Sequence, residues 1–162
     1  MGAESNKARG TQAEIERLLG SARIAVIGLS RDRRSYSRRV AGELRKRESR
    51  LIGVNRNADE LDGIPCVHEI AALPAGIDGA LILLPPEESD ASVRQCLNQG
   101  ITRIWVRGTE GRATVSAELA GQCAQHGVTL IDGRCPLMFL SGAGFPHWLH
   151  GRIAHWFGMW PR

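Results

Sequence analysis

The sequence predicts a single doubly wound α/β domain with about five parallel strands, and three observations carry that expectation. Short apolar runs rich in Val, Ile and Leu recur along the chain, amphipathic stretches of helical period stand between them, and Gly, Asn or Pro closes most of the runs. Strands of the kind buried on both faces, alternating with helices, make β-α-β crossovers over an open parallel sheet. The 162 residues, 43% hydrophobic and 23% charged, suit one domain with its own core, and exclude disordered, collagenous and tandem-repeat chains.

In chain order, residues 12–19 form a short helix with Ile15, Leu18 and Leu19 on one face, ending at Gly20. Residues 23–29 (RIAVIGL) are the first buried strand, closing on Gly28 and Ser30. Residues 35–47 are an amphipathic helix with Val40 and Leu44 inward and an outer side made largely of arginine. The second strand is 51–54 (LIGV), stopped by Asn55, Arg56 and Asn57; residues 57–63 are a turn-rich connection, and 64–67 (IPCV) a short extra strand or loop. The third strand, 79–84 (GALILL), is cut off by Pro85 and Pro86. Helix 87–98 then carries Glu87 and Glu88 in its first turn, where the helix dipole favours them, with Gly100 past its end. The fourth strand, 102–106 (TRIWV), ends near Gly108; helix 112–125 comes next, and the fifth strand is 128–131 (VTLI).

In sheets of this class a ligand lies outside the carboxyl ends of the strands, so the residues just past each strand are the candidates. They are Gly28 to Ser30, Asn55 and Arg56, Pro85 and Pro86, Arg107 and Gly108, and residues 134–136. Gly28 lets backbone approach a phosphate, and the start of the next helix offers free N–H groups. Charge points to the same place. Residues 31–50 hold eight arginines and one lysine against Asp32, Glu43 and Glu48, a local +6 in a chain whose total is +4, so the remainder is slightly acidic. A basic block on an acidic body suggests a local anionic ligand rather than a generally basic protein. Arg31, Arg33, Arg34, Arg38 and Arg39 surround the helix start and offer forked donors to phosphate oxygens. No second or third glycine comes after Gly28 before the helix, and Asn55 stands where an acidic residue would hold the ribose of NAD. Arg56 suits a ribose phosphate instead, as in NADP or coenzyme A.

Taken in order, residues 26–30 (VIGLS), Tyr36 with Ser37 and Val40, residues 53–55 (GVN), 63–66 (GIPC), 84–87 (LPPE), Gly100 with Trp105, and 132–136 (DGRCP) resemble the stand-alone coenzyme A-binding proteins. That family is similar to the N-terminal coenzyme A-binding domain of the succinyl-CoA synthetase α subunit. The resemblance runs from about Ile24 to Met138 and implies a Rossmann-like fold. It also implies that the turn from Gly28 to Ser30 and the helix start near Ser37 contact phosphates, where the charge pattern separately places Arg33 and Arg34. Asn55 and Arg56 would then lie by the adenosine and its ribose phosphate, and Pro85, Pro86, Arg107 and Gly108 would wall the adenine and pantetheine. The chain departs from the family in having Asn55-Arg56 where Asn-Pro is common, Arg107 where glutamine is frequent, and no glycine before the second strand. The synthetase's phosphohistidine ligase module is not matched by His68, His126, His147, His150 or His155.

Cys66, Cys96, Cys123 and Cys135 form no Cys-x-x-Cys pair, and the histidines lack zinc spacing, so neither metal nor disulfide framework is expected. Cys135 reads as a small buried hydrophobe that would face the coenzyme thiol if it faces anything, and Asp132 with Arg134 as a strand-end ion pair. Residues 1–11 are polar without the apolar centre of a signal peptide, no run is long enough to span a membrane, and the expected compartment is the cytoplasm. Phe145, Trp148, Leu149, Ile153, Trp156, Phe157 and Trp160 recur at three- and four-residue steps, an aromatic helix that closes the core or makes a homodimer or partner contact.

The domain reading is therefore an extension and short helix over 1–20, a coenzyme A-binding Rossmann-like domain over 21–140 and an aromatic amphipathic helix over 141–162. The expected function is to bind coenzyme A or an acyl-CoA as a small-molecule nucleotide ligand, without catalysis of its own. The alternative is an NADP-binding reductase-like protein. Specific nucleic-acid binding is not expected, because aromatic residues other than Tyr36 are not interleaved with the basic block.

Overall fold

The computed structural model describes residues 9–108 and 111–140. The apolar runs become strands β1 (Arg23–Ile27), β2 (Arg50–Val54), β3 (Glu60–Leu61), β4 (Ile64–Val67), β5 (Gly79–Ile82), β6 (Arg103–Arg107) and β7 (Thr129–Arg134). They form one sheet in the order β3-β4-β2-β1-β5-β6-β7, parallel throughout except for the β3–β4 hairpin. The helices are α1 (Gln12–Leu19), α2 (Tyr36–Arg45), α3 (Ser89–Asn98) and α4 (Ala117–Gln125).

Because successive strand residues face opposite ways, each run supplies two cores at once. Ile24 and Val26 of β1, Leu81, Trp105 and Ile131 meet α1 through Ile15, Leu18 and Leu19, and α2 through Val40, Ala41 and Leu44. Ala25, Ile27, Ala80, Ile82, Ile104, Val106 and Leu130 meet Val93 and Cys96 of α3 and Leu119, Ala120 and Cys123 of α4 on the other face. This two-sided cover makes the sheet doubly wound. Each fully buried aliphatic side chain contributes about 1.5–3 kcal/mol. Trp105, fully buried, also donates its indole N–H to Arg134 O (3.1 Å) and meets the Phe139 ring edge-on at 5.6 Å.

Seven strands stand where about five were expected, because β3 and β4 are short and lie in a stretch that reads as turns. The β2–β4 pairing also stops early for a reason in the sequence. Arg50 N donates to Ala22 O (2.8 Å) and Gly28 N to Val54 O (3.2 Å), so the even positions of β2 bond β1 and the odd positions face β4. Gly53 and Val54 pair with Cys66 and Val67, but the next rung requires an N–H from Pro65, which has none. Leu51 is left facing an opening between β2 and the hairpin.

Two helices begin later than their sequence patterns suggest. Residues 86–88 are a 3-10 turn, so Glu87 and Glu88 precede α3 rather than lie within it. Residues 112–116 stay outside α4, whose N-cap is Ser116, because Thr114 and Val115 give their N–H groups to the Asp132 carboxylate. At the N-terminus Thr11 and Glu14 close a reciprocal capping box on α1. The expected aromatic helix of residues 141–162 lies outside the described residues, as do residues 1–8 of the extension.

Candidate functional site

From β1 the chain moves outward to β2 and later returns to β5 on the other side of β1, so the order reverses between β1 and β5. Loops diverge at such a switch point and leave a crevice at the carboxyl ends. A recess of about 480 Å³ lies there, lined by Gly28, Ser30, Asn55 and Arg56 together with Leu84, His68, Glu88, Ser92 and Gln95.

Gly28 is required twice over. Its φ of +87° is a conformation L side chains rarely adopt, and a Cβ would stand 2.8 Å from the Leu84 side chain. The loop it opens is held from within: Ser30 N donates to the Ser37 hydroxyl (2.9 Å), Asp32 N to the Ser30 hydroxyl (3.1 Å), and Arg34 N to the Asp32 carboxylate (2.9 Å). Ser35 caps α2, its hydroxyl accepting from Arg38 N at 3.4 Å. Among the described residues, the main-chain N–H groups of Tyr36 and Ser37 have no acceptor. Two unmatched donors stand at the positive end of α2, beside Ser30, the arrangement that suits an anion.

The arginines of this region divide into two kinds. Arg38 is buried, with 8% exposure; its guanidinium donates to Ser30 O (3.0 Å) and pairs with Asp62 on the β3–β4 turn. It is therefore a brace between the loop and the hairpin rather than a free fork for phosphate, a correction to the sequence reading. Asp62 also meets Arg33 at 3.5 Å, and the Arg38 hydrogen bond holds its carboxyl below the ordinary value. Arg31, Arg33, Arg34 and Arg39 are exposed.

At the end of β2, Asn55 turns its amide inward: Nδ2 donates to Leu29 O (2.8 Å) and Oδ1 accepts from Asn57 N (2.8 Å). It fixes the two loops that border the recess. Arg56 is largely exposed, its guanidinium 3.9 Å from the Glu88 carboxylate. His68, immediately after β4, pairs with Asp59 at 2.9 Å. Leu84 forms the β5 wall, whereas Pro85 and Pro86 are exposed and do not line the recess.

The remaining sequence candidates gather at the ends of β6 and β7. Arg107 lies over the Tyr36 ring, 4.2 Å from its centroid, and the Tyr36 hydroxyl is 3.3 Å from Cys135 Sγ. Burial, then the neighbouring thiol, pushes the Tyr36 phenol above its ordinary range. Gly108 packs on a bulge: the register skips Gly133 (φ +72°), and a Cβ on Gly108 would stand 2.6 Å from the Gly133 Cα. Asp132 is fully buried and accepts from Thr114 N, the Thr114 hydroxyl and Val115 N, with Arg9 as its ion partner at 3.2 Å. That partner comes from the N-terminal segment, not from Arg134 as the sequence suggested.

Sequence reasoning missed His68, Glu88, Ser92 and Gln95. Taking the first residue past every strand as a candidate would have found His68, had β4 been counted as a strand. The other three sit on the turn and helix after β5, where nothing but the fold turns them toward Gly28. No helix among the described residues is long and apolar enough to cross a membrane.

A profile of the CoA binding domain family matches residues 22–141. A trans-feruloyl-CoA synthase from an unknown prokaryotic organism is 30% identical over 136 residues, 78% of this chain and 19% of that protein. The ADP-forming acetate–CoA ligase I of Archaeoglobus fulgidus is 27% identical over 128 residues, 75% of this chain and 18% of that protein. The chain thus spans about a fifth of the length of these curated relatives. A hypothetical protein of Pyrococcus horikoshii OT3 superimposes with a TM-score of 0.68 at 20% identity, over 80% of this chain and 89% of that one, a likeness of fold.

Proposed function

The chain belongs to the CoA-binding domain family, and from that premise we propose that it binds coenzyme A or an acyl-CoA in the crevice at the carboxyl ends of the strands, without catalysis of its own. The observation that supports this most is the pair of unmatched N–H groups opening α2 beside Ser30, next to the recess at the β1–β5 switch point. A pyrophosphate there accepts from the Tyr36 and Ser37 amides, and Gly28 keeps side-chain bulk out of its way. Arg33 and Arg34 add charge from the loop. Arg56 offers a guanidinium to the ribose phosphate, exchanging its distant Glu88 partner for a closer one. Asn55 holds the loops apart at the right width, and Leu84 and the β6-end pair Arg107 and Gly108 border the adenine and pantetheine side. Pro85 and Pro86 stiffen the turn behind Leu84.

The family match over residues 22–141 supports a binding unit of 21–140. In this reading the protein is a cytoplasmic carrier or sensor of the coenzyme, and an acyl-transfer step belongs to other chains.

The test is a thermal-shift and calorimetric titration with coenzyme A, acetyl-CoA and NADPH. Coenzyme A at a hundred times its Kd should stabilise the protein by about 2.7 kcal/mol. Binding of NADPH without coenzyme A would establish the reductase-like alternative, and no binding of coenzyme A or acyl-CoA at millimolar concentration would overturn the proposal.

A further inference from the structure

At the opposite end of β2 lies a second recess, of about 620 Å³, where the missing Pro65 rung parts β2 from the hairpin. It opens through the sheet edge and is lined by Leu51 and Ile64 with Arg45 on the α2 face, and by Ile52 with Arg23 and Arg50 on the other. The volume is that of a small-molecule site, which runs from about 300 to 1,000 Å³. Arg23 and Arg50 are direct partners across two parallel strands, so their side chains leave the sheet on the same face, like charge beside like charge.

Neighbouring acids reach these charges only from a distance: Arg45 helps to lower the Asp62 carboxyl without forming an ion pair with it. None of the three guanidinium groups has a carboxylate within 4.0 Å among the described residues. Asp78 takes the Arg23 main-chain N–H at 2.9 Å instead. Two of the guanidinium groups are nevertheless oriented: Arg23 donates to Ala75 O (2.9 Å) and Arg45 to Asp62 O (2.7 Å). A neutral carbonyl fixes the direction of a cation and leaves its charge intact. Leu51, whose peptide faces away from β1, adds a main-chain N–H and C=O toward the gap.

We propose that this recess is a second ligand site, which takes a small molecule bearing at least two negative charges and a short apolar segment, of the phosphate-ester or polycarboxylate class. Its lining shares no residue with the coenzyme crevice, and Arg50 stands about 17 Å from Asn55 along β2 at 3.3 Å per residue. The inference does not depend on what fills the crevice.

The experiment is calorimetric titration at constant ionic strength with pyrophosphate and with citrate, and with acetate as the monovalent control. Wild type, Arg50→Gln, Arg45→Gln and, as a control outside both recesses, Arg94→Gln are compared; Arg45, Arg50 and Arg94 are all exposed, and circular dichroism confirms that each variant folds. Loss of one charged hydrogen-bond partner should raise the Kd of the polyanion about tenfold in Arg50→Gln and in Arg45→Gln, and leave it unchanged in Arg94→Gln. Pyrophosphate alone responding assigns the phosphate source, citrate alone the carboxylate source. Binding equal in all four proteins, or no binding of either polyanion, overturns the proposal.

Discussion

The carboxyl ends of β1 and β7 carry similar chemistry to opposite effect. Past β1, the loop from Gly28 to Ser37 satisfies its own serines and Asp32 but leaves two helix N–H groups without acceptors. Past β6 and β7 the side chains find partners inside the protein: the Asp132 carboxylate collects Thr114, Val115 and Arg9, Arg107 covers Tyr36, and two glycines pack on each other. A glycine, a charge and a strand end occur at both places. Both α2 and α4 open with two N–H groups that have no acceptor among the described residues; what separates the edges is that the β1 end faces a recess lined by Gly28 and Ser30, whereas the β7 end is closed by residues far away in sequence.

The largest effect should come from the closed edge. Asp132→Ala takes the acceptor from the Thr114 and Val115 N–H groups and the fully buried carboxylate from its pair with Arg9, at a cost of about 3–5 kcal/mol, and should lower the Tm by roughly 10 °C or more. If this variant melts as wild type does but loses coenzyme A, the contrast between the two edges fails. Next is Gly28→Ala at the open edge. Its left-handed φ and the Leu84 contact should cost about 1–3 kcal/mol, read by denaturant unfolding, and should weaken coenzyme A binding as well. A smaller effect sharpens the comparison: Arg56→Gln should weaken coenzyme A about tenfold, while Arg107→Gln, whose charge already covers Tyr36, should change the Kd by less than about threefold. The smallest concerns pH. Asp62 ionises more readily folded than unfolded, so its stabilising pair with Arg38 is present above the ordinary carboxylate value near pH 4 and fades as pH falls through the lower folded value. Wild type and Asp62→Asn should therefore differ in denaturant midpoint at pH 7 and converge at strongly acid pH.

The central strands, α1 and α2 were legible because an apolar run between charged amphipathic segments has only one place to go in a two-faced sheet. The hairpin was not, since β3 and β4 together hold six residues and one of them is a proline. The start of α4 was hidden because residues 112–116 answer to Asp132 on another strand rather than to their own periodicity. Within the site, Gly28, Ser30, Asn55 and Arg56 are found by their place at strand ends and do line the recess. Arg38 looked like its arginine neighbours and proved to be a buried brace, because Asp62 and the Ser30 carbonyl reach it from across the fold. Its identity as a brace depends on a turn that no local pattern announces.

The Asn55 amide has a consequence for how this scaffold changes its ligand. A carboxylate at that position would suit the free ribose diol of NAD, but Asn55 must donate a proton to Leu29 O while accepting one from Asn57 N. An aspartate can do only the second, and would set its negative charge against a carbonyl oxygen. Drift toward NAD by this single exchange would thus loosen the loop beside the phosphate corner before it gained any ribose contact. One amide acts as a ratchet: it leaves the outward neighbour at position 56 free to vary, and guards the position where cofactor identity would otherwise be rewritten.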